Sequence, residues 1–163
     1  MRSYWLKVVG MGESGKPIED DWKRHRRLLE RSVMFPKRRR PKGIKVGDAI
    51  VLYAGGWRAI FAAGEATTMP YSPPGVDPKY PWLVDAAWDE ESTLPFVHHG
   101  VPLSVIGVDG KSVRQQSHIA LSDEQYRAAV RALRRAKADL PKHNNDKGGM
   151  SDERPDHPAG QVL

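Results

Sequence analysis

The stretch from Gly43 to Ala66 constrains the fold more than any other part of the chain. A turn at Gly43-Ile44-Lys45-Val46-Gly47-Asp48 leads into Ala49-Ile50-Val51-Leu52-Tyr53-Ala54, an apolar, β-branched run that reads as a strand. Gly55-Gly56 then gives a hairpin signal. Residues 58–66 are the return strand, with small side chains that allow close packing, and Gly64 within it predicts a β-bulge. A chain with this hairpin at its centre is organised around a sheet.

The flanking segments extend that reading. Residues 4–9 (Tyr-Trp-Leu-Lys-Val-Val) are β-branched and aromatic and form a strand that stops at Gly10. From Ile18 to Val33, the apolar residues Ile18, Trp22, Leu28, Leu29 and Val33 follow helical spacing, with Lys23, Arg24, Arg26, Arg27 and Arg31 on the other faces. The spacing predicts a basic amphipathic helix ended by Pro36. Residues 67–81 hold five prolines and form a long loop. Residues 82–88 form a further strand. His98 and His99, on extended chain, would point to opposite faces. Residues 112–119 are a polar, strand-like run leading to a last helix, where Ser122 and Gln125 make a capping box. Five strand-like segments with an early and a terminal helix predict an α+β fold with a strongly bent sheet or small barrel. The domain covers residues 1–138. Residues 139–163, rich in Asn, Gly, Pro, Asp and Lys, predict a disordered tail.

Charge narrows the function classes. The net charge is +6, and eleven Lys/Arg residues against the single acid Glu30 lie between Lys23 and Lys45. So one-sided a block points to a polyanionic partner, of which nucleic-acid phosphate is the commonest. The residues expected to hold a nucleic-acid backbone are Arg27, Arg31, Lys37, Arg38, Arg39, Arg40 and Lys42. The chain has no cysteine, which excludes disulfides, thiolate zinc ligands and a cysteine nucleophile. The six histidines make no H-x-x-x-H pair, so no metal site is expected, and no cofactor. No nucleophile elbow, S-x-x-K or P-loop is present. The first residues lack the apolar core of a signal peptide, and no run approaches the ~20 apolar residues of a membrane span. The expectation is a cytoplasmic protein with no membrane partner.

The aromatic residues suggest the chemistry. Of five tryptophans, Trp22 falls on the apolar helix face and belongs to the core. Trp5 and Trp82 stand near strand starts, and Trp57 follows Gly55-Gly56 at a hairpin tip. A base taken out of its stack needs aromatic faces and polar groups that read its edge. Trp5, Lys7, Tyr53, Trp57 and Trp82 are the expected pocket residues. Arg114, Gln115, Gln116 and His118 supply polar contacts, since Gln and Arg read bases and phosphates bidentately.

Together these segments resemble the EVE domain, a member of the PUA-like superfamily related to YTH domains. Tyr4-Trp5-Leu6-Lys7 resembles the family's Y-W-L-x-K strand, and Lys45-Val46-Gly47-Asp48 through Tyr53 is similar to its K-x-G-D-x-x-x-x-Y entry to the second strand. Residues 60–66, 82–85 and 113–122 match further family segments in order. Ser32 to Arg40 stands where the family carries a polar W-D-G-V-R-N-Y-Q-A-R-N stretch, and Ala54-Gly55 replaces its histidine. The resemblance implies a PUA-like pseudo-barrel of about five to six strands with flanking helices, reading a modified or flipped base in DNA or RNA. Two alternatives stand beside it. One is an ASCH-type nucleoside or RNA hydrolase of the same fold, with Lys7, Glu65 and Thr67 as its available set. The other is a small-molecule or protein interaction module.

The composition of the tail gives a first prediction. Deleting residues 141–163 should leave the melting temperature within a few degrees of the full chain, because the segment offers almost nothing apolar to bury. A larger drop in a thermal melt means that it docks on the domain.

Overall fold

The computed structural model of the chain describes residues 1–9, 18–22, 31–114 and 116–141. Its frame is one six-stranded sheet made of β1 (Tyr4–Val9), β2 (Ser32–Phe35), β3 (Ala49–Ala54), β4 (Ala59–Ala66), β5 (Trp82–Trp88) and β6 (His118–Leu121), in the order β2-β5-β4-β3-β1-β6. β1 and β3 run parallel, and the other neighbours are antiparallel. Two helices follow the fifth strand: the short α1 (Gly110–Arg114) and the long α2 (Asp123–Ala138). Single turns of 3-10 helix occur at Glu90–Ser92, Val97–His99 and Leu103–Ile106.

Alternation along the strands divides the core. On β1, Leu6 points toward α2, whereas Val9 and the half-buried Trp5 point to the concave side. The parallel register sets Trp5 beside Ile50, Lys7 beside Leu52 and Val9 beside Ala54, so these residues share a face. The concave side holds Val33, Phe35, Ile44, Ile50, Leu52, Phe61 and Val84, capped by Trp22. Trp22 is fully buried, donates its indole N–H to the Leu94 carbonyl at 3.0 Å and meets Phe61 edge-on. The outer side packs Leu6, Val51, Tyr53, Ile60 and Ala63 under Ala129 and Leu133 of α2. The sheet is thus curled into a half-barrel, with one core inside it and another beneath α2.

The central hairpin, β1, β5 and the terminal helix follow the sequence expectation. At α2, Ser122 Oγ accepts from the Gln125 backbone N–H while Gln125 Oε1 accepts from the Ser122 N–H, closing the capping box. Other expectations are corrected. Residues 32–35 form β2 and not the last turn of a helix, because Val33 and Phe35 pair with Val84 and Trp82 and bury completely. The extended chain therefore begins at Ser32, ahead of Pro36; residues 23–30 of the expected helix lie outside the described residues. The bulge falls between Leu52 and Tyr53, not at Gly64. A Cβ on Gly64 would run into the Ala87 carbonyl and the Trp88 ring, so that glycine permits close approach of β4 to β5. The 112–119 run is not one extended segment: residues 110–114 are helical and β6 starts only at His118. His98 and His99 sit in a helical turn with ring centroids 4.0 Å apart, not on opposite faces. Of the expected tail, Asp139 caps α2 and Leu140 packs against the outer core; residues 142–163 lie outside the described residues.

The loop at residues 67–81 is tied down rather than free. Tyr71 exchanges two backbone hydrogen bonds with Leu83, and its hydroxyl donates to Asp85 Oδ1 at 2.6 Å. Ser32 Oγ donates to the same oxygen, so one carboxylate fastens loop, β2 and β5 together.

Gly64→Ala should cost about 1–3 kcal/mol, the usual scale of overpacking, because the methyl must displace strand backbone. Chemical denaturation measures this, and an unchanged midpoint would mean that β4 and β5 are not so tightly apposed.

Candidate functional site at the mouth of the barrel

The two edge strands approach one another at one end of the half-barrel. Phe35 closes β2, and its ring meets the His118 ring of β6 edge-on at 5.3 Å. Lys7 of β1 is the cross-strand partner of His118, and its Nζ lies 4.4 Å from the Phe35 ring centroid. Trp5, two residues before Lys7 and on the same face, places its ring 5.5 Å from His118. Trp82 pairs with Phe35 across β2 and β5, and the Arg40 guanidinium covers its ring at 4.5 Å. Trp5, Lys7, Trp82 and His118 thus gather around the fully buried Phe35 at one end of the half-barrel, its mouth, with the exposed Arg39 and Arg40 beside them.

Local structure fixes each part. Asp48 is 2% exposed and accepts three hydrogen bonds: from the Ser3 and Lys45 backbone N–H groups and, at 3.0 Å, from the Trp5 indole N–H. This ties the start of β1 to the start of β3 and sets the Trp5 ring. Gly43 makes room for that ring, since a Cβ there would lie 2.9 Å from the indole edge. Pro41 and Ile44 are buried, so the basic loop is anchored while Lys37, Arg38, Arg39, Arg40 and Lys42 stay exposed.

The electrostatics are unusual. Lys7 is only 4% exposed, and no carboxylate among the described residues pairs with it. Burial, with the Arg39 charge adding to it, pulls its ammonium down to about 7. The His118 imidazole is also held below its ordinary range, first by burial and then by Lys7 and Arg39. Its Nδ1 lies 2.8 Å from Ser117 Oγ. The mouth therefore gathers cations and hydrogen-bond donors on aromatic walls, the complement of a flat ligand rich in acceptors or carrying negative charge.

Not every expected residue comes here. Tyr53 is the register partner of Val8, not of Trp5 or Lys7, and packs in the outer core toward α2. Trp57 stands in the β3–β4 turn, at the end of β3 remote from Trp5, and donates its indole N–H to the Ile18 carbonyl at 2.7 Å. The expected single cage of four aromatics is therefore corrected to Trp5 and Trp82, joined by Phe35. Gln116 is exposed just before β6, and Arg31 is exposed just before β2. Arg27 and Gln115 lie outside the described residues, and for Arg114 only the backbone is described. The Lys7, Glu65 and Thr67 set is not assembled either. Glu65 and Thr67 line a cleft beside α2, on the outer side of the sheet, whereas Lys7 points inward. Among the described residues no helix is long and apolar enough to cross a membrane.

No protein-family model matches the chain, and no curated protein sequence does. Solved structures do resemble it. Protein Atu2648 from Agrobacterium tumefaciens superposes with a TM-score of 0.53 at 13% identity, over 80% of this chain and 92% of that one. Rpa0253 from Rhodopseudomonas palustris gives 0.51 at 14% identity, over 87% and 97% of the two chains. A hypothetical protein from Leishmania major gives 0.51 at 15%, over 83% and 96%. At such identities the likeness concerns the fold: a curled mixed sheet with helices, spanning nearly the whole of each neighbour.

The buried lysine makes a prediction with a definite sign. Between about 7 and its ordinary 10.5, Lys7 binds fewer protons folded than unfolded. Its cost to stability is therefore full below pH 7 and fades as the pH rises toward 10.5. Lys7→Met should stabilise the protein at pH 6 and have little effect near pH 10 in urea denaturation. An equal effect at both pH values would mean that the ammonium is paired or solvated.

Proposed function

We propose that this protein is a nucleic-acid-binding module of the PUA-like, EVE-related kind, and that it takes a flipped or modified base into the mouth of its half-barrel. The observation that carries the reading is the buried Lys7, which has no carboxylate partner among the described residues and lies beside Phe35 and His118, with Trp5 against His118. An unpaired buried amine is costly, and a ligand that supplies acceptors relieves that cost. A nucleobase offers carbonyl and ring-nitrogen acceptors to Lys7 and His118 and a flat face to Trp5 or Trp82. Stacking of this kind is worth ~1–3 kcal/mol per base.

The rim fits the phosphates that accompany the base. Lys37, Arg38, Arg39, Arg40 and Lys42 project from a loop held by buried Pro41 and Ile44, directly beside the mouth. Arg40 already lies over Trp82, so the phosphate-gripping and base-stacking groups are neighbours. The hydrolase alternative is not favoured, since its three side chains are divided between the two faces of the sheet.

The test is a titration of the intact protein with nucleotides and short oligonucleotides, followed by tryptophan fluorescence. Quenching should occur, and Lys7→Met should weaken binding by at least about tenfold, the ~1.4 kcal/mol of one lost hydrogen bond to a charged or polarised donor. Trp57→Ala should leave affinity unchanged. Reversing the charge of Arg38, Arg39 and Arg40 together should weaken oligonucleotide binding and flatten its salt dependence by ~0.7–0.9 per lost phosphate contact. No binding at low salt by either DNA or RNA would overturn the reading.

A further inference from the structure

The sheet carries a second opening on its outer side. A cleft of about 660 Å³ lies between α2 and the ends of β4 and β5. Four arginines line it, Arg2, Arg127, Arg131 and Arg134, against two carboxylates, Glu65 and Asp89. Arg134 reaches Asp89 at 3.4 Å, and Arg127 pairs with Asp123 at 3.0 Å. Arg2 lies over the rings of Tyr4 and Tyr126, at 5.7 and 5.6 Å. Arg131 is exposed and has no ion pair among the described residues. The helical spacing of 127, 131 and 134 puts three guanidiniums along one face, over about 10 Å of helix axis. That row is longer than one phosphate needs. Half-buried Tyr126 adds a flat aromatic wall at its foot.

The cleft and the mouth are neighbours across the start of β1. Tyr4 packs on the outer side and Trp5 on the inner, so consecutive residues of one strand face the two openings. Arg2 and Ser3 form the rim between them, pinned by the Ser3 hydrogen bond to Asp48.

We infer that the α2 cleft is a second binding surface for single-stranded nucleic acid, and that it holds the strand flanking the base in the mouth as that strand passes over Arg2. This rests on the mouth being a base site. Charge complementarity selects the occupant: a row of guanidiniums beside an aromatic ring matches phosphates with stacked bases. The cleft then sets how many nucleotides the protein covers, while the mouth sets which base it prefers.

The experiment uses the full chain and a fluorescently labelled twelve-nucleotide single strand, as RNA and as DNA, titrated by anisotropy across a salt series. Arg131→Glu is compared with Arg135→Glu, the same charge change on an exposed residue of α2 outside the cleft. Arg131→Glu should weaken oligonucleotide binding about tenfold more than Arg135→Glu and lower the salt slope by roughly 0.7, one single-strand phosphate contact. Mononucleotide quenching of tryptophan should be the same in both variants. If the two variants weaken oligonucleotide binding equally, or neither does, the cleft is off the nucleic-acid path and the inference is overturned, with the mouth untouched. If the unaltered protein binds neither mononucleotide nor oligonucleotide, the base-site reading fails and takes this one with it.

Discussion

The buried carboxylate of Asp48 is the constraint on which the rest of the mouth depends. It accepts from the Ser3 and Lys45 backbones and from the Trp5 indole, so one side chain joins the start of β1, the basic loop and the start of β3. Once β1 is registered beside β3 in this way, Trp5 and Lys7 must face inward, because side chains alternate along a strand. The antiparallel pairing with β6 then sets His118 opposite Lys7, and the curl of the sheet carries Phe35 across from the far edge to meet them. Loss of Asp48 would remove the partner of the half-buried Trp5 indole N–H and loosen the residues that depend on it.

The curled sheet divides labour between its two sides. Inside, an apolar core ends in a mouth where a lysine and a histidine sit under aromatic rings with basic residues on the rim. Outside, α2 covers the other face and leaves a cleft edged with arginines. Both openings lie where β1 and β3 begin and β4 ends, so groups from distant parts of the sequence converge on one region. The solved structures with similar folds share the fold at 13–15% identity.

Much of the fold was legible because several segments carry strong local signals. The apolar run at 49–54 bounded by glycines, the aromatic β-branched start, and Ser122 with Gln125 each specify their structure by local chemistry. β2 was not legible, since Ser32-Val33-Met34-Phe35 continues the helical spacing of the segment before it. Only pairing with β5 makes it a strand, and tertiary pairing overrides local preference in so short a stretch. The same miss hid Phe35, the central aromatic of the mouth; its position just before Pro36 gave no sign of what it would face. Trp5, Lys7, Trp82, His118, Arg39 and Arg40 were legible as candidates by residue type and position. Tyr53 and Trp57 were misplaced because the sequence shows that aromatics lie near strand ends but not which end or face. The register of β1 with β3 supplies the face, and the hydrogen bond from Trp57 to Ile18 supplies the end.

On the proposed reading a base enters at Trp5 and Lys7 and not at the Trp57 end of the sheet. The most direct measurement follows the indole N–H resonances of the five tryptophans in nitrogen-15 NMR spectra as a short single-stranded oligonucleotide is added. Entry at Trp5 predicts that the Trp5 and Trp82 signals move with saturation, while those of Trp22, buried in the core, and Trp57, at the opposite end of β3, stay in place. Movement of Trp57 with Trp5 and Trp82 unmoved would contradict it.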